Sequence, residues 1–146
     1  MKIIIAGCGK IGVSIVADLV SEGHDVTVLD ASAEIITQVT NVHDVMAICG
    51  NAVDCETLEE ANVNEADIFI AATGTDELNM LSCFLARRMG ASHTIARIRN
   101  PEYNDKSLNF MRQQLELSMP INPDLLTALE LFNILKLPSA VRRESF

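Results

Sequence analysis

Short apolar runs alternate along the chain with stretches in which apolar residues recur every three or four positions. The runs Lys2 to Ala6, Val26 to Leu29, Val45 to Ile48, Asp67 to Ala72, Thr94 to Ile98 and Leu115 to Met119 are nearly continuous in Ile, Val and Ala. Continuous rather than alternating apolar runs are expected of strands covered by helices on both faces. Six of them, separated by helical patterns, predict an α/β fold with a doubly wound, six-stranded parallel sheet. In the first helical stretch Ile11, Ile15 and Leu19 form one stripe with Val16 and Val20 beside it, and Gly23 ends it.

The last helical stretch has a different pattern. Asn122 suits a cap, Pro123 a first turn, and Asp124 the positive end of a helix dipole. From Leu125 to Leu137 its polar residues Thr127, Glu130, Asn133 and Lys136 form a single narrow stripe. So broad an apolar surface needs cover on two sides, which predicts a helix over about 123–137 that crosses to a second copy of the chain.

The length of 146 residues and 49% hydrophobic content suit one domain spanning 1–146. The net charge of −9 disfavours nucleic acid and direct contact with anionic lipid. One Tyr and no Trp leave few platforms for stacking bases. The chain contains no apolar run near the roughly 18 residues of a membrane span, so direct membrane insertion is not expected. Four cysteines without a paired CxxC spacing fit reduced thiols in a cytoplasmic protein.

Candidate chemistry is concentrated where the first strand meets the first helix. Gly7-Cys8-Gly9-Lys10-Ile11-Gly12 is a GxGxxG motif at a strand-to-helix junction. Each glycine has a physical reason: a tight turn at Gly7, approach of a pyrophosphate at Gly9, and close helix packing at Gly12. Unpaired amides and the helix dipole then face the anion. Asp30 follows at the end of the second strand, where its carboxylate can accept from a ribose diol, and Ala31, Ser32 and Ala33 bring no cation for a 2′-phosphate. The pattern predicts a Rossmann-like dinucleotide site favouring NAD over NADP, although ADP and ATP carry the same ribose. The competing reading is a structural turn with Asp30 as a helix cap.

Ligands of such sheets lie at the carboxyl ends of the strands. Asn51 and Asp54, around Ala52, stand either beside an adenine or in a turn and cap. Thr73 and Gly74 are expected across the cleft from Gly9, with Asn79 on the next helix and Asp76 as its cap. Arg97 reaches a phosphate or joins an ion pair. Cys49 is expected to end a buried strand, His43, Cys49 and Cys55 match no zinc spacing, and no metal is expected. Cys8 has no neighbouring His to activate it and reads as a small filler, so no catalytic residue is assigned.

MKIIIAGCGKIG, Asp30, GNA, ADIFIAATGTDELNM, IARIRNPEY and PINPDLLTALEL together resemble the RCK, or KTN, family, to which the N-terminal domain of TrkA belongs. The resemblance covers nearly the whole chain. It implies a cytoplasmic, homodimeric or ring-forming subunit that binds NAD(H), ATP or ADP and passes the bound state to a potassium-translocating membrane protein at the inner face of the cell membrane. The ligand positions it implies are Gly7, Gly9, Lys10, Ile11, Asp30, Asn51, Ala52, Thr73, Gly74 and Arg97. Lys10 stands where several relatives have Arg, which keeps the charge but not the bidentate contact. Full-length members add a further C-terminal domain, which is expected to be absent here. The runner-up readings are an NAD-dependent oxidoreductase without its substrate domain and an assembly scaffold that needs no nucleotide.

Overall fold

A computed structural model describes residues 1–103, 105–115 and 119–121, with only the backbone of Ile11 and of the last three. The order is β1 (Lys2–Ala6), α1 (Lys10–Ser21), β2 (Asp25–Asp30), α2 (Ala33–Val42), β3 (Met46–Cys49), α3 (Cys55–Glu60), a 3-10 turn (Val63–Glu65), β4 (Ile68–Ala71), α4 (Asp76–Arg88), β5 (His93–Arg97), α5 (Asp105–Gln114) and β6 (Met119–Ile121). All the strands are parallel, in the order β3-β2-β1-β4-β5-β6. This is the doubly wound Rossmann-like sheet, and its direction of winding reverses between β1 and β4.

Alternate residues of β1 to β5 feed two apolar layers. Ile3, Ile5, Val26, Val28, Ile68 and Ile70 pack with Ile15, Val16 and Leu19 of α1 and Val39 of α2. Ile4, Leu29, Ile48, Phe69 and Ala96 pack on the other face with Leu58 and Val63, with Met80 and Cys83 of α4, and with Leu108 and Met111 of α5. Burying a side chain the size of Phe69 or Leu58 contributes roughly 1.5 to 3 kcal/mol, so the two layers rather than helix propensity hold the crossovers in place. At the end of α1, Gly23 adopts φ +83 as the residue after the cap, and the amides of Gly23 and His24 return to the carbonyls of Val20 and Leu19. This paired return closes the helix as a Schellman motif.

Two expectations need correction. The sixth strand is Met119–Ile121 rather than Leu115 to Met119. Leu115 instead ends the turn after α5, its amide bonded to Met111 O at 2.8 Å, and its side chain packs on the core. Cys49, read as ending a buried strand, is exposed, because β3 is an edge strand with β2 as its one partner. The predicted helix over about 123–137, with its dimer contact, lies outside the described residues.

Candidate functional site

The carboxyl ends of β1, β2, β4 and β5 open into a cleft of about 460 Å³ at the reversal point of the sheet. Gly7, Cys8 and Gly9 form one wall, Asp30, Ala31, Ile35, Asn51 and Ala52 another, and Thr73, Gly74, Leu78 and Arg97 the third. Eight of the eleven expected positions therefore meet in one space. Lys10 and Gly12 are not among the described residues that line it: with Ile11 they form the first three residues of α1, and Lys10 is exposed.

The three glycines of the loop differ in what the fold asks of them. Gly7 has φ +96, and an added Cβ would lie 2.7 Å from the Thr73 amide nitrogen. At Gly12 the added atom would overlap the carbonyl oxygen of Gly7. Both are glycine because backbone passes against backbone. Gly9 has φ −70, open to any residue, and a Cβ there would meet nothing within 4 Å. Neither conformation nor packing accounts for glycine at that position, but an incoming group seated on the backbone would.

The N-terminus of α1 is equally incomplete. Gly9 offers no capping side chain, and the first turn carries no acid. By contrast, α2 is capped by Ser32 and carries Glu34, and α3 is capped by Asp54 and carries Glu56. Orphan amides and an uncompensated positive dipole end at the cleft wall suit an anion, and the adjacent charge of Lys10 adds to the field. Among the described residues Arg97 is the one basic side chain lining the cleft, and its Nη1 donates to Thr73 O at 3.2 Å.

Asp30 accepts from the Cys8 amide at 2.9 Å through Oδ2 and from the Ser32 amide at 2.8 Å through Oδ1. It thereby ties the glycine loop to the end of β2. Each carboxylate oxygen retains a further lone pair for a hydroxyl in the cleft. Cys8 is buried beside it, and that burial, together with the Asp30 charge, pushes the thiol up to about 12. A buried thiol with its ionisation raised is a poorer nucleophile than a free one.

The alternatives left open at Asn51 and Asp54 separate. Asn51 lines the cleft while its Oδ1 accepts from Val53 N at 3.1 Å. Asp54 caps α3, accepting from Thr57 N at 3.3 Å and Thr57 Oγ1 at 2.7 Å, and these bonds hold its carboxyl below the usual range. Asp76 is not the cap of α4. Its buried carboxylate accepts from the amides of Arg99 at 3.0 Å and Asn100 at 2.7 Å. The sequence reading also passed over Ile35 and Leu78, which line the cleft but sit on apolar helix faces that look like core. Among the described residues no three metal-binding side chains converge, and no helix is long and apolar enough to cross a membrane.

The TrkA-N domain family model matches residues 3–113. A Trk system potassium uptake protein TrkA homolog of Methanothermobacter thermautotrophicus is 42% identical over 105 residues, covering 72% of this chain and 49% of that protein. The one of Archaeoglobus fulgidus is 36% identical over 146 residues, covering 100% of this chain and 33% of that protein. The chain thus spans about half or less of these relatives. The fold is shared with the GsuK channel bound to NAD, at 18% identity and a TM-score of 0.69 over 82% of this chain and 21% of that one. The GsuK structure bound to ADP matches at 18% identity and a TM-score of 0.65, over 83% and 31%. With three quarters of its length under the family model and relatives this similar, the chain belongs to the TrkA-N domain family.

Proposed function

We propose that this chain is the nucleotide-sensing regulatory domain of a potassium uptake system, taking NAD(H) in the cleft and, at the same site, ATP or ADP. The observation that carries the reading is Gly9, a glycine that the fold does not need, at the uncapped start of α1. The pyrophosphate sits on the Gly9 backbone and the first amides of α1, with Lys10, Ile11 and Gly12 supplying those amides from outside the cleft wall. Asp30 takes the adenosine ribose, Asn51 and Ala52 flank the base, and Thr73, Gly74 and Arg97 close the phosphate side. The NAD and ADP bound to the GsuK channel support this ligand class, and the names of the relatives support the potassium partner.

The domain works as a binding module, with no hydride transfer of its own. It acts on the cytoplasmic side of the membrane, as a dimer or larger ring held there by a potassium-translocating partner. Calorimetry with NAD, NADH, ADP, ATP and NADP tests the ligand assignment. NAD and the adenine nucleotides are expected to bind one per chain. NADP is expected to bind more weakly, because its 2′-phosphate meets the Asp30 carboxylate without a compensating cation. Failure of all five to bind, or a preference for NADP, overturns the reading.

A further inference from the structure

One α4 side chain grips the cleft wall from behind, and a second holds the backbone next to it. Asn79 is fully buried and does not line the cleft. Its Oδ1 accepts from Thr73 N at 2.8 Å and from Thr73 Oγ1 at 2.6 Å. Its Nδ2 donates to Thr73 O at 3.1 Å and to Arg97 O at 2.9 Å. All four positions of the amide are used, so the side chain has one orientation and Thr73 is held through three of its own atoms. The Thr73 carbonyl that Asn79 holds is also the acceptor of Arg97 Nη1, which closes a triangle of Asn79, Thr73 and Arg97. One turn earlier on the same helix face, Asp76 holds the amides of Arg99 and Asn100. The first turn of α4 therefore grips the backbone on both sides of Ile98.

We propose that Asn79 is a positioning residue for the phosphate end of the bound nucleotide, acting through Thr73 and Arg97 without touching the ligand; this rests on the nucleotide reading above. An apolar residue at a wholly buried helix position would avoid desolvating an amide, so core packing alone does not account for this side chain. The amide does what packing cannot: it fixes a main-chain turn and the resting place of a guanidinium across two strand ends. An anion site depends on donors already in place when the ligand arrives. The adenosine half lies against Asp30 and Asn51, which Asn79 does not contact, so its removal discriminates between the two halves of the ligand.

Calorimetry with ADP and with adenosine, on the parent, Asn79→Ala, Arg97→Met and the double variant, tests this. Asn79→Ala is expected to lose about tenfold or more in affinity for ADP and less than about twofold for adenosine. The double variant is expected to lose clearly less ADP affinity than the two single losses multiplied together, because part of the effect of Asn79 passes through Arg97. Equal losses for the two ligands, or additive losses in the double variant, reduce Asn79 to a structural role and overturn the proposal. If the variant does not fold, the Asn79 Nδ2 proton resonances of the parent serve instead: they should move on titration with ADP and stay with adenosine, and any other pattern overturns the proposal. A parent that binds neither ligand instead overturns the nucleotide reading itself.

Discussion

At Gly9 the demands of the fold and of the ligand separate, which makes the residue a direct probe of the site. Gly9→Ala places a methyl group in open space at an ordinary φ, so stability should change by no more than about 0.5 kcal/mol while nucleotide affinity collapses. Gly12→Ala drives the same methyl group into the Gly7 carbonyl and should destabilise the chain by about 2 kcal/mol or more. Thermal melts and calorimetry on the two variants check the contrast, and a Gly9→Ala chain that binds normally would remove the pyrophosphate from that position. Asp30→Ala should weaken nucleotide binding by about 1 to 3 kcal/mol, and more if the Cys8 amide drifts once its acceptor is gone. Residues of this local kind are legible in sequence, because the glycine spacing and the following acid need only one strand, one turn and one helix. Asp76 and Asn79 are not legible in that way. Their distant partners lie at the end of the next strand, Arg97, or just past it, Arg99 and Asn100, and a polar residue in a first helical turn looks like a cap whichever bond it makes. Asn51 and Asp54 stayed open because adenine recognition and capping draw on the same side chains.

At the scale of elements, the central strands are read easily because both of their faces are buried. The burial runs without a break through β4 and from Ile3 to Ala6 of β1. The edges are harder: β3 is half exposed, and the apolar Leu115 belongs to the close of α5 rather than to β6. The same difference sorts the cysteines. Cys8 and Cys83 are buried, with burial the main cause of both raised thiols, whereas Cys49 and Cys55 are exposed. An alkylating reagent at pH 8 should modify Cys49 and Cys55 in the folded chain and reach the other two only after unfolding, as mass spectrometry of the peptides would report. Early modification of Cys8 would contradict the packing of the glycine loop. Because Cys8 binds its proton more tightly folded than unfolded, its contribution to stability is complete below its ordinary value of 9.0 and is lost as pH rises toward about 12. Alkaline denaturation curves of a Cys8→Ala chain should accordingly lose part of that slope.

For the whole molecule, regulation requires that binding alter how copies of the domain meet. The apolar pattern from Leu125 to Leu137 predicts a two-fold contact, so the chain should be dimeric at micromolar concentration by light scattering. Leu129→Glu with Phe132→Glu should give monomers that still bind nucleotide, because the described residues that line the cleft lie between Gly7 and Arg97. A monomeric parent, or a dimer indifferent to the two charges, would defeat that arrangement. The coupling available to such a switch is limited to the difference in ligand affinity between its two states, typically about 1 to 3 kcal/mol. The strand order also governs how the domain comes into being. β1 is made first and ends up in the middle, where Ile3 pairs with Val26 on one side and with Ile68 on the other. At about 5 to 20 residues per second, a ribosome exposes the second flank of β1 for seconds before β4 emerges to cover it. During that interval a strand with four buried apolar residues in a row presents an open edge to the cell, so the yield of folded protein should depend on translation speed and on chaperone supply far more than the stability of the finished sheet suggests.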